Sequence, residues 1–568
     1  MWVKTRRVLR RRWLRVLGGL ALVAVIAWFI LVPSARPPGR PAEGKLLTIF
    51  LIDGLSQTHY EALSRAGRLP HLGRLAAEGT SVANGISAFP SMTGYGFYPF
   101  LTGRDATGSG LLGLRWFDRT RTRGQIRNYV GRSNRHMNTD LAAVPPTLFE
   151  QVAPDHSFAI NALVDRGVRS KVMTGWDFTM AKYNQSWWLP RWLRALPALG
   201  PRVAPDLAEA ERRVWAAAVA DLAHQPKIQW VSFTSPDAHA HLHGMDAGYD
   251  ALLETVDELI GRYRAESQAR GEEGRRVYAV LTDHGLVDVH ANVDLRNSLG
   301  RAGIRVDREE ATRVVDDTLD DDLAERLAGA DLVLLVNGNS LNYLYARNPE
   351  APPDAGDFSV RVPREALRAF PGPRGKAVDL LATVLATPGV DMVLARDRGG
   401  DVFVHSRDGE ARITKTEGGF GYEPLGADPL GYVQDPRTAA LIDGHPHPGD
   451  TWLAASARTS FPDALVRVHA LLSQPGCGDM VVLAKAGYDL AADYERFVSN
   501  YRGGHGGLRA EELRVPYLLA GPGIARGVTV EVARAEDVGA TLAALLSLGQ
   551  APRAEGHPLA RALAPAGP

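Results

Sequence analysis

The chain has 568 residues, of which 45% are hydrophobic and 23% are charged, and its formal net charge at pH 7 is +1. This is the composition of an ordinary globular protein, so it argues against wholesale disorder and against a protein built from many membrane spans. The length exceeds what a single simple core fills, and it predicts one large domain with an insertion, or two domains.

The N-terminus is strongly basic. The first fifteen residues carry seven positive charges and no negative charge, so the rest of the chain has a net charge of −6. Because nucleic acid binding depends on basic surfaces, we expect no nucleic acid duplex as a partner of this mildly acidic body.

An uncharged segment, Val16–Val32, follows the basic cluster and ends before Pro33. Its length is at the short end of the roughly 17–25 residues that span a bilayer. The basic cluster predicts that the N-terminus stays cytoplasmic and that the rest of the chain lies outside. We therefore expect a single-pass membrane anchor and linker within residues 1–45. A cleaved signal peptide with secretion, or a buried helix, are the alternatives.

The chain contains a single cysteine, Cys477. An intrachain disulfide and a zinc site built on cysteines are therefore both excluded. Any metal ion must be bound through histidine, aspartate or glutamate.

Seven short apolar runs end in polar or glycine-rich turns, as buried strands do. Between some of them lie amphipathic segments such as Tyr249–Tyr263, whose apolar residues recur at helical spacing. This alternation predicts an α/β fold with a mostly parallel sheet and helices on both faces. The predicted strands are Leu46–Ile52, Phe158–Leu163, Ile228–Phe233, Val277–Leu281, Leu332–Val336, Met480–Leu483 and Tyr517–Ala520.

The pattern weakens in the middle of the chain, where an acidic run and Pro/Gly-rich segments occur. We predict that residues 297–475 form an insertion or cap, with room for a small sheet of its own. The core is then divided into a first part, 46–296, and a closing part, 476–568. In such a core, ligands gather at the carboxyl ends of the strands.

Residues that can bind a metal ion fall just after predicted strands or on a glycine-rich loop. Each alone is weak evidence, because an aspartate at a strand end is more often a turn or capping residue. Together, carboxylates and imidazoles suit a cluster of two divalent ions such as Zn²⁺ or Mn²⁺. These candidates are Asp53, Asp237, His241, Asp283, His284 and His505.

A two-ion hydrolytic site also needs a nucleophile. The segment FPSMTGYGFYPFLTG offers the hydroxyl groups of Ser91, Thr93 and Thr102 in a glycine-rich setting where a helix can begin. Helix capping is the alternative role for Ser91 and Thr93.

The order and wording of these segments resemble the type I phosphodiesterase/nucleotide pyrophosphatase branch of the alkaline phosphatase superfamily. Its motifs are D-G at a strand end, FPS-x-T, P-D-x-x-x-H, S/T-D-H-G and a late G-x-H-G, and all five occur here in that order. The resemblance covers about Leu46–Gly285 and Asp479–Leu559. It implies an alkaline-phosphatase-like core and two divalent metal ions, expected to be zinc.

The resemblance also implies a nucleophile and two sets of metal ligands. Thr93 would attack phosphorus and form a phosphothreonine intermediate, which is then hydrolysed from the opposite side. The ligands would be Asp237, His241 and His505 for one ion, and Asp53, Asp283, His284 and Thr93 for the other.

The sequence departs from the family at one point. Nucleotide pyrophosphatases usually place an asparagine about twenty residues after the nucleophile, whereas the corresponding segment here reads GLLGLRWFDR. Arg115 is the substitute we predict for binding phosphate, with a surface ion pair as its alternative role. His239 and His243 are further candidates for contacting the substrate, whereas His445 and His447 fall in the uncovered middle of the chain.

Several other activities are compatible with parts of this pattern. A sulfatase is excluded because the required C/S-x-P-x-R motif is missing, but a phosphomonoesterase or a phospho-headgroup transferase of the same superfamily stays open. A non-catalytic anchored relative is the alternative of another class. The expected partners are a small phosphate ester or a lipid head group, and the membrane through the N-terminal helix.

Overall fold

The computed structural model describes residues 42–119, 125–129, 135–143, 145–152, 157–174, 206–308, 327–348, 350–351, 358–490, 501–548 and 555–564. Within these ranges the chain is a mixed α/β protein with two eight-stranded sheets.

The strands carry the labels used below and include counterparts of all seven predicted strands. In chain order they are β1 Leu46–Ile52, β2 Thr80–Ile86, β3 Arg115–Asp118, β4 Gln125–Asn128, β5 Ser157–Ile160, β6 Ser170–Val172, β7 Ile228–Phe233, β8 Arg276–Leu281, β9 Val287–Asn292, β10 Val306–Arg308, β11 Leu332–Val336, β12 Leu341–Ala346, β13 Phe370–Pro371, β14 Ala377–Val378, β15 Val390–Arg396, β16 Val402–His405, β17 Gly409–Thr416, β18 Gly419–Gly426, β19 Met480–Ala484, β20 Gly487–Asp489, β21 Gly503–Gly504, β22 Arg514–Ala520 and β23 Val528–Arg534.

The longest described helix is Ala247–Ala269, and it contains the amphipathic segment predicted from the sequence. It begins at Asp246, whose carboxylate accepts hydrogen bonds from the backbone N–H groups of Gly248 and Tyr249. The α-helices are Gln57–Arg65, Pro70–Glu78, Tyr98–Thr102, Arg135–Asp140, Leu148–Gln151, Leu207–Asp221, Ser235–His243, Ala247–Ala269, Leu295–Arg301, Arg364–Leu367, Leu380–Leu385, Pro436–Ala439, Gly449–Ser456, Ala464–Ser473, Ala510–Leu513 and Ala535–Leu545.

The main sheet has the strand order β23-β2-β22-β8-β1-β7-β5-β6. All neighbouring pairs are parallel except the two that involve β22, which runs antiparallel to both β2 and β8. The predicted mostly parallel α/β sheet is therefore confirmed.

The central strand β1 is buried along its whole length because both faces of the main sheet are covered. Leu47, Ile49 and Leu51 pack into one hydrophobic cluster, whereas Phe50 and Ile52 pack into another on the opposite face. This alternation follows from the two-residue period of a strand. It explains why β1 reads as a continuous apolar run in the sequence.

The second sheet has the order β10-β11-β12-β19-β15-β16-β17-β18 and is antiparallel apart from the β10–β11 pair. It is larger than the small sheet expected for the insertion. It also contains β19, which belongs to the predicted closing part and pairs with β12 and β15. The division of the chain at 296 and 475 stays a prediction.

A buried ionic network joins the helices beside the second sheet to the main sheet. Arg467 is only 1% exposed, and its guanidinium donates hydrogen bonds to both carboxylate oxygens of Glu536 at 3.0 and 3.1 Å. The same guanidinium contacts Asp105 and lies 3.3 Å from Asp463. Arg534 binds Asp463 from the other side. The helices beside the second sheet and the main sheet are therefore connected by buried, paired charges.

We expect Arg467→Met to destabilise the protein by about 3–5 kcal/mol, because it leaves buried carboxylates without their counter-charge. Arg458, which forms an exposed pair with Glu531, supplies the matched control, and Arg458→Met should cost at most about 1 kcal/mol. Chemical denaturation followed by circular dichroism measures both free energies of unfolding. Equal effects of the two substitutions would contradict the structural role of the network.

The localisation predicted from the sequence is corrected by the structure. In the part of the chain that the structure describes, no helix is both long and apolar enough to cross a membrane. The longest one, Ala247–Ala269, is amphipathic and carries charged residues along its exposed side. The segment Val16–Val32 lies outside the described residues. The predicted anchor within residues 1–45 therefore has no support in the described structure.

Candidate active site

The six predicted metal ligands lie together at the carboxyl edge of the main sheet. Asp53 directly follows β1, and Asp283 and His284 follow β8. Asp237 and His241 lie in the helix that begins after β7, and His505 follows the short strand β21. Parallel strands bring their carboxyl ends to one edge, which explains why Asp53, Asp237 and Asp283 meet there. His505 reaches the same place from β21, which pairs with β9 outside the main sheet.

Gly54 permits the close approach of Asp53 to Asp237. Its φ angle is +65°, and a Cβ atom at this position would lie 3.0 Å from Asp237 Oδ1. The hydroxyl group of Tyr249 donates a hydrogen bond of 2.7 Å to the carbonyl oxygen of Gly54 and fixes the turn. The D-G motif therefore places one carboxylate and leaves room for a second.

The helix Ser235–His243 presents two of the predicted ligands on one face. Asp237 and His241 are four residues apart, and His241 Nε2 lies 3.3 Å from Asp237 Oδ2. The His505 ring lies beside them, with its Nε2 atom 3.9 Å from Asp237 Oδ1. These three side chains are the predicted ligands of one ion.

The three imidazoles are oriented in the same way. The Nδ1–H group of His241 donates to the carbonyl oxygen of Gly503, that of His284 to Gly285, and that of His505 to Ser91. Because carbonyl oxygens only accept hydrogen bonds, Nδ1 carries the proton in each ring and Nε2 is left as an electron-pair donor. Metal-binding histidines are typically held by such a bond to the opposite nitrogen.

The rings of His284 and His505 are stacked, with centroids 3.6 Å apart and planes inclined by 9°. Ligand atoms of Asp53, Asp283 and His284 lie within 4.8 Å of one another, and so do those of Asp237, His284 and His505. His284 is therefore close to both groups. The assignment of each residue to one particular ion stays a prediction.

Buried carboxylate oxygens in this cluster lack hydrogen bonds of ordinary geometry among the described residues. They are Oδ1 of Asp53, Oδ1 of Asp237 and both oxygens of Asp283. A buried charge without a partner is costly, so such oxygens normally face a cation. Carboxylate oxygens together with imidazole nitrogens are a suitable donor set for Zn²⁺ or Mn²⁺. The residues present therefore fit a cluster of divalent ions.

The electrostatics of the cluster agree with this interpretation. Burial and the neighbouring carboxylates of Asp283 and Asp237 raise the pKa of Asp53 well above its ordinary value, and burial likewise raises the pKa of Asp283. Burial alone would lower the pKa of His284, but the nearby carboxylates raise it to about 10. Without a cation, the folded chain favours protons on these groups.

Of the three candidate nucleophiles, Thr93 is the one beside the cluster. Its Oγ1 atom lies 3.0 Å from His284 Nε2, and its side chain is partly exposed. The Thr102 hydroxyl instead donates to the carbonyl oxygen of Tyr98 within its own helix.

Ser91 has a structural role. It is fully buried, its hydroxyl donates to the carbonyl oxygen of Gly507, and it accepts a hydrogen bond from the N–H group of Gly506. Its own carbonyl oxygen orients His505. Ser91 therefore connects the segment that contains Thr93 to the loop that contains His505.

The other predicted substrate contacts have partners within the protein. Arg115 lies in β3, is 1% exposed, and donates a hydrogen bond of 3.1 Å to the carbonyl oxygen of Val336. His239 Nε2 lies 2.7 Å from Asp246, and the His239 ring lies beside His243. A contact of Arg115, His239 or His243 with substrate stays a prediction.

His445 and His447 lie in the loop before the helix Gly449–Ser456. His447 Nε2 contacts Asp443, and the His447 backbone pairs with Phe420 beside the second sheet. In the described structure they belong to this loop and not to the metal-ligand cluster.

Two buried residues that support the site were missed from the sequence. Glu512 accepts the backbone N–H of Gly507 through its side chain and that of Gly285 through its carbonyl oxygen. Glu211 accepts the backbone N–H of Ser235, where the helix that contains Asp237 begins. Neither glutamate belongs to a recognisable motif, because both act on backbone groups that any sequence provides. Only the three-dimensional structure could reveal them.

Comparisons with known proteins agree with this geometry. The family model described as type I phosphodiesterase/nucleotide pyrophosphatase matches residues 47–386, which is more than half of the chain and extends into the predicted insertion. No curated protein sequence gives a significant match.

Solved structures with a similar fold include murine ectonucleotide pyrophosphatase/phosphodiesterase 5. It shares 15% sequence identity, with a TM-score of 0.50, over 92% of this chain and all of that one. An inactive variant of the murine protein in complex with AMP gives 15% identity and a TM-score of 0.49 over 90% and 96% of the two chains. The human protein gives 13% and 0.48 over 89% and 96%. The likeness to the first of these structures concerns the fold alone. Because the family model matches more than half of the sequence, the chain belongs to the type I phosphodiesterase/nucleotide pyrophosphatase family.

Proposed function

We propose that this chain is a metal-dependent phosphoric ester hydrolase that cleaves phosphodiesters or nucleotide-type pyrophosphates, with Thr93 as its nucleophile and two divalent ions, expected to be zinc. The observation that carries this proposal is the cluster of buried carboxylate oxygens without hydrogen bonds, next to the Nε2 atoms of three histidines and the Thr93 hydroxyl. Family membership supports the same class of reaction.

The proposed ligands form two sets. When bound, two divalent ions supply positive charge that stabilises both the attacking and the leaving oxygen of an in-line displacement at phosphorus. The residues that we propose to hold them are Asp237, His241 and His505 for one ion, and Asp53, Asp283, His284 and Thr93 for the other.

The protein positions Thr93 before any substrate arrives. Its Oγ1 atom lies 3.0 Å from Nε2 of His284, the nitrogen that we propose for metal binding, while Nδ1 of the same ring is held by the carbonyl oxygen of Gly285. This contact places Oγ1 beside the proposed ligands, and Gly94, with a φ angle of +79°, directly follows the nucleophile. In the proposed reaction Oγ1 attacks phosphorus, the ester oxygen leaves on the opposite side, and water then hydrolyses the phosphothreonine.

A direct test is to purify the protein with zinc, measure its metal content, and compare hydrolysis of bis-p-nitrophenyl phosphate with that of p-nitrophenyl phosphate. We expect about two ions per chain and a higher kcat/KM for the diester, because the proposed substrates carry a group on the second ester oxygen.

The other outcomes are equally informative. A preference for the monoester would contradict the proposed substrate class and favour a phosphomonoesterase. A protein that binds no metal and hydrolyses neither compound would contradict the proposed function and favour a non-catalytic relative.

A further inference from the structure

The two stacked histidines of the site belong to loops that are far apart in the sequence. His284 follows β8, whereas His505 lies in the glycine-rich loop after β21. Their rings are stacked with centroids 3.6 Å apart, and the ligand atoms of both lie within 4.8 Å of that of Asp237. A contact that fixes one loop relative to the other would therefore control the geometry of the metal site.

Glu512 makes contacts of this kind with both loops. It lies in the short helix Ala510–Leu513 and is only 1% exposed. Its Oε1 atom accepts the N–H of Gly507 at 2.9 Å, two residues after His505. Its carbonyl oxygen accepts the N–H of Gly285 at 2.8 Å, the residue after His284. One residue thus binds the backbone beside each of the two imidazoles.

The second sheet adds a third contact to this arrangement. The carbonyl oxygen of His505 accepts the N–H groups of Asn339 and Ser340, from the turn between β11 and β12, at 3.0 and 3.1 Å. The loop that contains His505 is therefore held between Glu512 and a turn of the second sheet.

The Glu512 carboxylate lies directly against Gly507. A Cβ atom on Gly507 would lie 2.4 Å from Glu512 Oε2. The neighbouring Glu511 has an exposed side chain, although a Cβ atom on Gly285 would lie 2.1 Å from its carbonyl oxygen. The side chain of Glu512, but not that of Glu511, is therefore enclosed against the loop that contains His505.

We propose that Glu512 is a positioning residue for the two-metal site, which sets the separation of the His284 and His505 loops and thereby the affinity for one of the two ions. This inference rests on the proposed function, because it assumes that both histidines bind metal. Groups that orient metal ligands typically contribute about 10–100-fold to metal affinity or activity.

The test measures metal binding directly, by titrating chelator-treated protein with Co²⁺ and by competing for Zn²⁺ with a chromophoric chelator. We expect Glu512→Ala to weaken the binding of one ion by about 10–100-fold and to change the visible spectrum of bound Co²⁺. Glu512→Gln, whose amide oxygen can still accept from Gly507, should restore most of the affinity. Glu511→Ala is the matched control and should bind both ions as the wild type does.

A second variant gives an independent answer. Gly507→Ala should weaken the binding of the same ion, because its new Cβ atom collides with Glu512 Oε2. Combined with Glu512→Ala, it should cause no further loss of affinity. If Glu512→Ala does not fold, as judged by thermal unfolding, Gly507→Ala alone decides.

Wild-type affinities and an unchanged Co²⁺ spectrum in Glu512→Ala, or in Gly507→Ala if the former does not fold, would overturn the inference while leaving the proposed function intact. A wild-type protein that binds neither Co²⁺ nor Zn²⁺ would instead contradict the proposed function itself, and with it this inference.

Discussion

Replacing Thr93 with alanine should reduce kcat for diester hydrolysis by about 10³-fold or more while leaving about two zinc ions bound per chain. The reason is that Oγ1 is the one atom that the proposed mechanism uses to form a bond with phosphorus. The carboxylates and imidazoles that bind metal stay in place without it. Steady-state kinetics together with metal analysis of the same sample measure both quantities.

Two controls separate a loss of chemistry from a loss of structure. Thr93→Ser keeps the hydroxyl group and should retain far more activity than Thr93→Ala. Ser91→Ala removes a buried hydroxyl that connects Gly506 and Gly507 to the nucleophile segment, so its defect should be weaker metal binding that added zinc reverses. Unchanged activity in Thr93→Ala would refute the assignment of the nucleophile.

Asp283→Asn should have opposite effects on stability with and without metal. In chelator-treated protein, the neutral amide removes a fully buried carboxylate whose two oxygens lack hydrogen bonds of ordinary geometry among the described residues, so the melting temperature should rise by about 1 °C for each kcal/mol gained in a chain of this length. With zinc at about 1,000 times its Kd, the wild type gains about 4 kcal/mol from binding. The variant should lose much of that gain and nearly all activity.

The stability of the metal-free protein should decrease as pH rises. Burial raises the pKa of both Asp53 and Asp283 above the unfolded value near 4, so the folded state retains protons that the unfolded chain has released. Their contribution to stability is therefore present at low pH and is lost as pH rises through the raised pKa values. In the presence of a chelator, the melting temperature of Asp283→Asn should fall less with rising pH than that of the wild type.

A buried aspartate outside the site supplies the control for this substitution. Asp479 is as buried as Asp283, but it pairs with Arg119 at 2.7 Å and accepts the N–H groups of Ala346 and Val362. Asp479→Asn should therefore destabilise the protein equally with and without zinc. If Asp283→Asn behaved in the same way, Asp283 would be a structural residue and not a metal ligand.

The sequence predicted which residues form the candidate site, but it did not predict the residues that hold their loops in place. Asp53, Asp283 and His284 were recognisable because they follow apolar runs that end at the same edge of a parallel sheet. The ordered motifs also favoured Thr93 over Ser91 and Thr102, and Thr93 is the one that lies beside the cluster. Contacts made by backbone groups, such as those of Glu512, leave no trace in residue identity, and they depend on which loops meet in three dimensions.

The second sheet shows that strand pairing could not be predicted from the sequence. Leu332–Val336 and Met480–Leu483 were predicted as strands, and both exist, yet they lie in the antiparallel second sheet and not in the main sheet. A five-residue apolar run indicates that a strand is buried, but it does not indicate its neighbours. Pairing is decided by register with strands such as β12 and β15, which are distant in the sequence.

The position of β22 has a consequence for the synthesis of the protein. This strand lies between β2 and β8, although it is made more than 230 residues after β8. A growing chain that has released its first 300 residues thus has two unpaired strand edges where β22 belongs, and open edges invite pairing with other chains. Such distant pairings also form slowly. We therefore expect the nascent protein to be prone to aggregation until β22 has left the ribosome.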